Sequence, residues 1–529
     1  MRRRPRLELL LAAAAGVVVL LCAGRAPVVD EEVYLFLAAR LAEDPLHPYA
    51  FSRAMQPWGG GAETFLFAHP PLHWAWIAGW RAIAGDAWVP LLRVLTALPP
   101  ALLLGWATAR LARRTARHPG LAALAWLASP VTLLALAAGL MNDLGATALA
   151  TAGVVAWREA FEGDDSRTRL HWLVGAGVLL GLAAATKYPM LVLAFVVFLH
   201  AIRTKRLPWS WPLWAAMLAT WGAVELWIGV AHGGFHLGAV LLHASEIARG
   251  PLSGRILGVL VRAGLALAPL LVLQSARPAL TGACVMAAVA LTWALPPELS
   301  TLQTTVLATM ALFGALWFMH GLAALRPRGK DKRHDDFLLG LWVVAVLLAV
   351  ALGHNFASGR YLLPAMAPLA CLAARRLASM RLCLHVAPAL IGAWGVLSVA
   401  MVVADARYAN ALEDLAVQVT ERHEPGWFTG EWAFRHTLER AGWRYAKPAE
   451  RGGDLPAGAI VVTPTHAGAG PLPWGRLEEI EVLPSDDHFP LRITDVTGRV
   501  GWYGETLGAL PVGWRSAPLE EVTAYRVLR

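Results

Sequence analysis

Asp30, Glu31 and Glu32 stand side by side in the stretch RAPVVDEEVYLFLAARLAEDPLHPYAFSRAMQPWGGGAETFLFAHPPLHW, which runs from Arg25 to Trp74. Adjacent carboxylates just past a helix end can supply a general base or a metal ligand. Asp30 and Glu31 fit that description, and Glu32 reads as solvated. Asp143 follows Asn142 at a second polar turn. Lys187 comes directly after an apolar run and before Tyr188-Pro189. An ammonium at headgroup depth suits a phosphate or pyrophosphate. Arg360-Tyr361, in GRYLLPAMAP, is similar. Arginine grips phosphate oxygens as a fork, and tyrosine favours the membrane interface. His69 precedes a rigid Pro-Pro pair and can bind phosphate or metal. His232, His236 and His243 lie in another polar stretch and read as interfacial histidines ahead of a metal site.

Elements that position such groups must be membrane helices. Of 529 residues, 57% are hydrophobic and 16% charged, and the mean hydropathy is +0.50. That composition excludes an ordinary soluble domain. The net charge of +9 does not imply nucleic acid, because the basic residues cluster in short loops between apolar runs. Cys22, Cys284, Cys371 and Cys383 lie in or beside apolar stretches at unrelated spacings and imply neither a disulfide framework nor a metal site. There is no glycine-rich nucleotide loop, no Gly-x-Ser-x-Gly and no His-Glu-x-x-His. Any activated substrate must therefore reach the site from the lipid or the outer space.

Apolar runs of span length, with Lys/Arg-rich loops kept inside, give about thirteen spans. Arg2, Arg3, Arg4 and Arg6 put the N-terminus in the cytoplasm, and Leu7–Gly24 reads as an uncleaved anchor ahead of a leader cleaved near Ala23, because many spans follow. The first outer loop covers 25–87. Pro71–Ala84 is short for a crossing and reads as an interfacial helix with Trp74, Trp76 and Trp80 at the membrane boundary. Gly120–Leu140 is one span. Arg93, Glu225 and Arg262 fall inside spans, in their outer halves, which points to a polar cavity opening outward. After Ala404 the runs shrink to strand length, as in Ala459–Thr463 and Glu481–Leu483, and Glu431–Ala441 has helical spacing. The fold class is therefore mainly α: a polytopic bundle (1–404) followed by a small extracytoplasmic α/β domain (405–529).

The order of Asp-Glu, His-Pro-Pro-Leu, Asn-Asp, Thr-Lys-Tyr-Pro and Gly-Arg-Tyr-Leu-Leu-Pro resembles the GT-C superfamily of integral membrane glycosyltransferases. It is most similar to the family-39 and aminoarabinose-transferase-like branch, which includes the protein O-mannosyltransferases. The resemblance covers Leu7 to Ala404. It implies inverting transfer of a sugar from a polyprenyl-phosphate donor to a lipid, glycan or protein acceptor on the outer face of a bacterial-type plasma membrane. It makes Asp30 the catalytic base, Glu31 its partner and Asp143 the second outer acid. Lys187 and Arg360, with Tyr361 and His69, become donor-phosphate contacts. A divalent metal is compatible with these carboxylates and is not required by them. Aminoarabinose transferases carry Glu-Lys before the Pro-Pro, where this chain has Ala68-His69. The role of that pair and the aminoarabinose substrate are therefore not carried across. A glycan polymerase or ligase is the alternative. A glycolipid flippase ranks below it, since no inverted repeat is visible.

Overall fold

The computed structural model describes residues 6–50, 69–85, 89–162, 165–246, 251–272, 277–294, 299–326, 334–377, 381–446, 455–467 and 477–528. Arg2–Arg4, the glycine triplet at 59–61 and the end of the first loop at 86–88 lie outside them.

Every apolar segment read as a span carries helix. In chain order the helices are α1 (Arg6–Leu21), α2 (Glu31–Glu43), α3 (Leu72–Ala84), α4 (Val89–Thr115), α5 (Pro119–Leu127), α6 (Pro130–Ala137), α7 (Asn142–Glu159), α8 (Ser166–Thr186) and α9 (Leu191–Arg203). They continue with α10 (Trp211–His232), α11 (His236–Glu246), α12 (Leu252–Val272), α13 (Arg277–Ala294), α14 (Thr301–Leu325), α15 (His334–Gly353), α16 (Leu363–Leu377), α17 (Arg381–Arg422) and α18 (Trp432–Arg440). Among the described residues, six helices are long and apolar enough to cross a membrane, or seven if α5 and α6 form one bent span. This is a multi-pass membrane protein.

Gly120–Leu140, read as one span, is built from two helices. α5 and α6 meet at a 58° bend. Pro130 lacks the N–H that would continue the ladder, and it forces Ser129 into an extended backbone with ψ 133°. The break also frees Ala128's carbonyl, which accepts from Ser398 Oγ of α17 at 2.7 Å.

With lipid on the outside, helices associate through close packing and polar contacts more than through apolar burial. α7 shows this: it is rich in Ala, Gly and Thr, and nearly all of it is buried between neighbours. At Gly314 a Cβ would collide with the backbone of Leu260, so α12 and α14 touch only because that residue is glycine.

Ion pairs gather at the end of the bundle away from the polar turns named above. Arg110 and Arg114 each grip Glu159 in a fork, with contacts of 2.9–3.1 Å. Arg113 reaches Glu8 at 2.6 Å, Arg158 reaches Asp335 at 3.0 Å, and Arg375 reaches Asp336 at 2.7 Å. The basic loops are thus neutralised by acids at the same helix ends.

α17 runs unbroken for 42 residues, so the expected boundary at 404/405 falls inside it. Its second half supports the C-terminal α/β unit. The strands are β1 (Trp427–Phe428), β2 (Arg444–Tyr445), β3 (Ile460–Pro464), β4 (Leu477–Pro484), β5 (Leu491–Arg492), β6 (Thr494–Asp495), β7 (Val500–Gly501), β8 (Gly513–Trp514) and β9 (Glu521–Val527). A five-stranded sheet has the order β2-β1-β3-β9-β4. It is parallel from β2 to β3 and antiparallel from β3 through β9 to β4.

α3 has 13 residues, too few to cross. Trp74 does not sit at a lipid boundary as expected. It is completely buried against Tyr49, with ring centroids 5.7 Å apart, because it faces the protein side of α3. Trp76 is 44% exposed and meets Trp80 edge-on at 5.2 Å.

Candidate active site

Four of the polar residues picked from sequence converge. Arg360 Nη1 lies 2.7 Å from Asp30 Oδ2 and 3.8 Å from Asp143 Oδ2. Lys187 Nζ lies 2.5 Å from Asp143 Oδ1. Two acids thus alternate with two cations in one cluster. Tyr361 completes it: the Lys187 ammonium sits 4.7 Å and the Arg360 guanidinium 5.0 Å from its ring centroid.

Each residue is positioned by a helix end. Asp30 is the residue before α2, and its carboxylate makes no capping bond. Val29, just ahead of it, has φ 50°. A β-branched residue there stores about 1–3 kcal/mol of strain, which persists only because the surroundings over-determine it. Asp143 is in the first turn of α7, where a carboxylate meets the positive end of the helix dipole. Lys187 ends α8 in extended backbone. Arg360 sits in a 3-10 turn, Gly359–Leu362, immediately before α16.

Asp143, Lys187 and Arg360 are buried, whereas the Asp30 side chain is 35% exposed. Asp30 is thus the more exposed of the two acids in the cluster.

Glu31 is placed differently from Asp30. It is fully buried. Its carboxylate accepts from Arg25 (3.1 Å), Arg93 (3.3 Å) and the backbone N–H groups of Val28 (3.1 Å) and Leu140 (3.0 Å). Burial opposes its charge, but Arg25 and Arg93 outweigh that and hold the carboxyl below its ordinary range. Arg25 also pairs with Asp405 of α17, which accepts from Tyr503 of the C-terminal unit at 2.9 Å. Arg93 donates to the carbonyls of Ala23 and Arg25. One buried network therefore ties the end of α1, the start of α2, α4, α17 and the C-terminal unit. His73 Nε2, 2.7 Å from the Leu140 carbonyl, holds the same turn that Glu31 holds by its N–H. That turn leads directly into Asn142-Asp143.

His69 lies at the edge of the cluster; its carbonyl accepts from Tyr49 at 2.8 Å, and its ring is 6.4 Å from that of Tyr34. The three charges expected inside spans are buried and paired. Arg93 belongs to the Glu31 network. Glu225 accepts from Tyr188 and from the N–H of Leu237. Arg262 of α12 donates to the carbonyls of Gly501 and Trp502. Each is held by partners that only the folded chain supplies. His236 pairs with Tyr188 at 2.7 Å and stacks on Tyr49, and His232 meets Tyr49. The side chain of His243 lies outside the described ones. Among the described residues no group of three His, Cys, Asp or Glu converges as a metal site.

Two contributors, Tyr34 and Trp502, were missed, and His354, read from sequence as an edge residue on the outer side, joins them. Tyr34, four residues after Asp30, is fully buried next to the cluster, and no hydrogen-bond partner for its hydroxyl is found among the described residues. The spacing of one helical turn carried that signal. His354 stacks on Tyr361 at 4.1 Å. Trp502 packs on Gly359, whose N–H donates to the Trp502 carbonyl at 3.0 Å. Nothing in the local sequence at 500–508 marks it as part of the Arg360 turn.

Residues 11–203 match the family model described as alpha-(1->6)-mannopyranosyltransferase, N-terminal domain. No curated protein matches the chain. Among solved structures, apo ArnT from Cupriavidus metallidurans is similar at 18% identity over 86% of this chain and 92% of that one, with a TM-score of 0.43. The same enzyme bound to undecaprenyl phosphate is similar at 16% identity over 86% and 92% of the two chains, TM-score 0.42. The Archaeoglobus fulgidus oligosaccharyltransferase in its apo form is similar at 15% identity over 84% of this chain and 65% of that one, TM-score 0.48. These structural likenesses are distant. The family match spans α1 through α9 and so includes Asp30, Asp143 and Lys187 on their helix ends. Over residues 11–203 the chain is thus similar to the N-terminal domain of alpha-(1->6)-mannopyranosyltransferases.

Proposed function

We propose that this enzyme moves a sugar, with inversion, from a polyprenyl-phosphate donor to an acceptor hydroxyl, using Asp30 as base. The observation that carries the reading is the single cluster of Asp30, Asp143, Lys187 and Arg360, in which only Asp30 is substantially exposed among three buried partners.

The acceptor oxygen attacks the anomeric carbon opposite the phosphate, and the bond from that carbon to the phosphate oxygen breaks. The acceptor proton passes to the Asp30 carboxylate. The departing polyprenyl phosphate gains one negative charge. An oxocarbenium-like transition state of this kind needs a base on one side and cations on the other. Arg360 and Lys187 supply the cations by exchanging part of their hold on Asp30 and Asp143 for phosphate oxygens. Tyr361 keeps both cations over its ring. Glu31 acts as a positioning residue, fixing α2 and the Leu140 turn. His69 stands at the donor side of the cluster.

The match to mannosyltransferases favours a hexose such as mannose as the sugar moved. The acceptor is a lipid, glycan or protein hydroxyl, and the site opens to the extracytoplasmic side of a bacterial-type plasma membrane, with the N-terminus in the cytoplasm. The bundle (1–404) does the chemistry and the unit from 405 onward closes over it.

Purified protein incubated with a radiolabelled polyprenyl-phosphate hexose and a panel of acceptors tests the reading, with the anomeric configuration of product read by NMR. Transfer with inverted configuration is expected. Consumption of a pyrophosphate-linked donor in its place would assign the polymerase or ligase chemistry.

A further inference from the structure

Apart from the cluster, one large concavity lies where α17 leaves the bundle and meets the loop between β4 and β5. It is a cleft of about 1030 Å³. Its polar lining includes Arg407, Asp414 and Gln418 from α17, and Asp486 and Asp487 from the loop, with Phe489 as an aromatic wall. The loop is built in advance. Asp487 Oδ1 accepts from the N–H of Phe489 at 2.8 Å, and Ser485 Oγ accepts from the N–H of Asp487 at 3.1 Å. Arg407 spans the cleft, 3.3 Å from Asp487 and 5.0 Å over the Phe489 ring.

The chemistry selects a ligand class. Three carboxylates against one guanidinium and the His488 imidazole leave the cleft net negative, which repels phosphates and other anions. Carboxylates and an amide, acceptors of several hydrogen bonds each, instead match a molecule dense in neutral O–H donors. An aromatic face beside them matches an apolar C–H face. Sugars offer both. The α17 wall is also continuous with the reaction site. Asn410 Oδ1 accepts from the N–H of Ala26 at 2.9 Å, and Asp405 holds the Arg25 that holds Glu31. Asn410 therefore joins the cleft wall to the loop that ends in Asp30, while Asp405 anchors that loop from the opposite, buried face of α17.

We infer that this cleft binds a neutral oligosaccharide, the arm of a glycan acceptor whose terminal hydroxyl is presented to Asp30. The inference rests on the glycosyl-transfer reading above and narrows its acceptor to a glycan.

Saturation-transfer NMR on the full chain in detergent, with α-1,6-linked mannotriose as probe, tests it. Saturation of mannotriose is expected in the wild type. Asp414→Ala with Gln418→Ala weakens it about tenfold, the loss of one or two hydrogen bonds to charged or polar partners. Both side chains are on the solvent side of α17, and Gln418→Ala alone serves if the double variant elutes abnormally. Equal binding by wild type and variants, or no binding by wild type, overturns the inference. So does capture of a short oligolysine in preference to mannotriose, which would make the cleft a cation site. If labelled donor is consumed but mannotriose does not bind, the cleft assignment falls alone. If mannotriose binds here and no lipid-phosphate donor is consumed, the transfer reading falls and the cleft stands.

Discussion

Arg360 Nη1 and Asp30 Oδ2 sit 2.7 Å apart, one from the first polar loop and the other from the turn before α16. The contact orients the one exposed acid of the cluster, and in the proposed reaction it holds the guanidinium ready for the leaving phosphate. Replacing Asp30 by Asn keeps the shape and removes the base. Transfer is expected to drop roughly 10²–10⁴-fold, with elution and thermal midpoint near those of wild type. Labelled-donor turnover measures it, and a wild-type rate in Asp30→Asn would remove Asp30 from the mechanism.

Lys187 and Asp143 form a buried pair at 2.5 Å. Lys187→Met alone leaves the buried carboxylate only Arg360, 3.8 Å away, and should cost about 3 kcal/mol of stability. Lys187→Met with Asp143→Asn should regain most of that, because no lone charge remains. The double variant should still need about tenfold or more additional donor, the worth of a charged hydrogen bond to phosphate. Donor KM equal to wild type in the refolded double variant would show that Lys187 is structural only.

Glu31 makes the opposite prediction to Asp30. Its four hydrogen bonds join Arg25, Arg93, Val28 and Leu140. Glu31→Gln should lower the thermal midpoint sharply, by about 3–5 kcal/mol of unfolding free energy. The folded fraction should retain transfer within roughly tenfold of wild type, about 1.4 kcal/mol of barrier. A stable but inactive Glu31→Gln would return Glu31 to the chemistry.

Gly359 carries the Arg360 turn against the Trp502 ring, leaving no room for a Cβ. Gly359→Ala should push the 500–508 loop away at about 1–3 kcal/mol and reduce transfer through Arg360. Limited proteolysis should cut that loop faster. Adding Trp502→Ala opens the space and should restore part of the protection; no restoration would mean that the loop docks independently of this contact.

Burial pushes the Glu520 carboxyl up to about 7, although Tyr408 and the N–H groups of Thr465, His466 and Glu521 donate to it. An unfolded glutamate titrates near ~4.3. Between these values the native state binds more protons, so stability falls as pH rises. The contribution is whole below the unfolded value and lost as pH passes the folded one. Melting of the C-terminal unit followed from pH 4 to 8 should show this decline. Glu520→Gln should flatten it, and a midpoint that climbs with pH would reverse the sign.

The amino-acid sequence by itself determined the helices and singled out the charged residues that the fold gathers into one cluster. Length and placing of apolar runs are local properties, so α4, α8, α10, α14 and α15 could be read directly. Asp30, Asp143, Lys187 and Arg360 stood out because a charge at a membrane helix end is costly and needs a partner. The small C-terminal sheet was legible from strand-length runs and turn residues. Tertiary structure decided which charge met which. Asp30 and Glu31 are neighbours in sequence, yet one is partly exposed beside Arg360 and the other is sealed between Arg25 and Arg93. One residue of rotation on a helix N-terminus turns the side chain by about 100°, and no local pattern fixes the partner it then faces. The same holds for Arg262 and Trp502, which meet only because the C-terminal unit folds back onto α12 and the Arg360 turn. Such contacts depend on how distant elements pack, and that is a property of the whole chain.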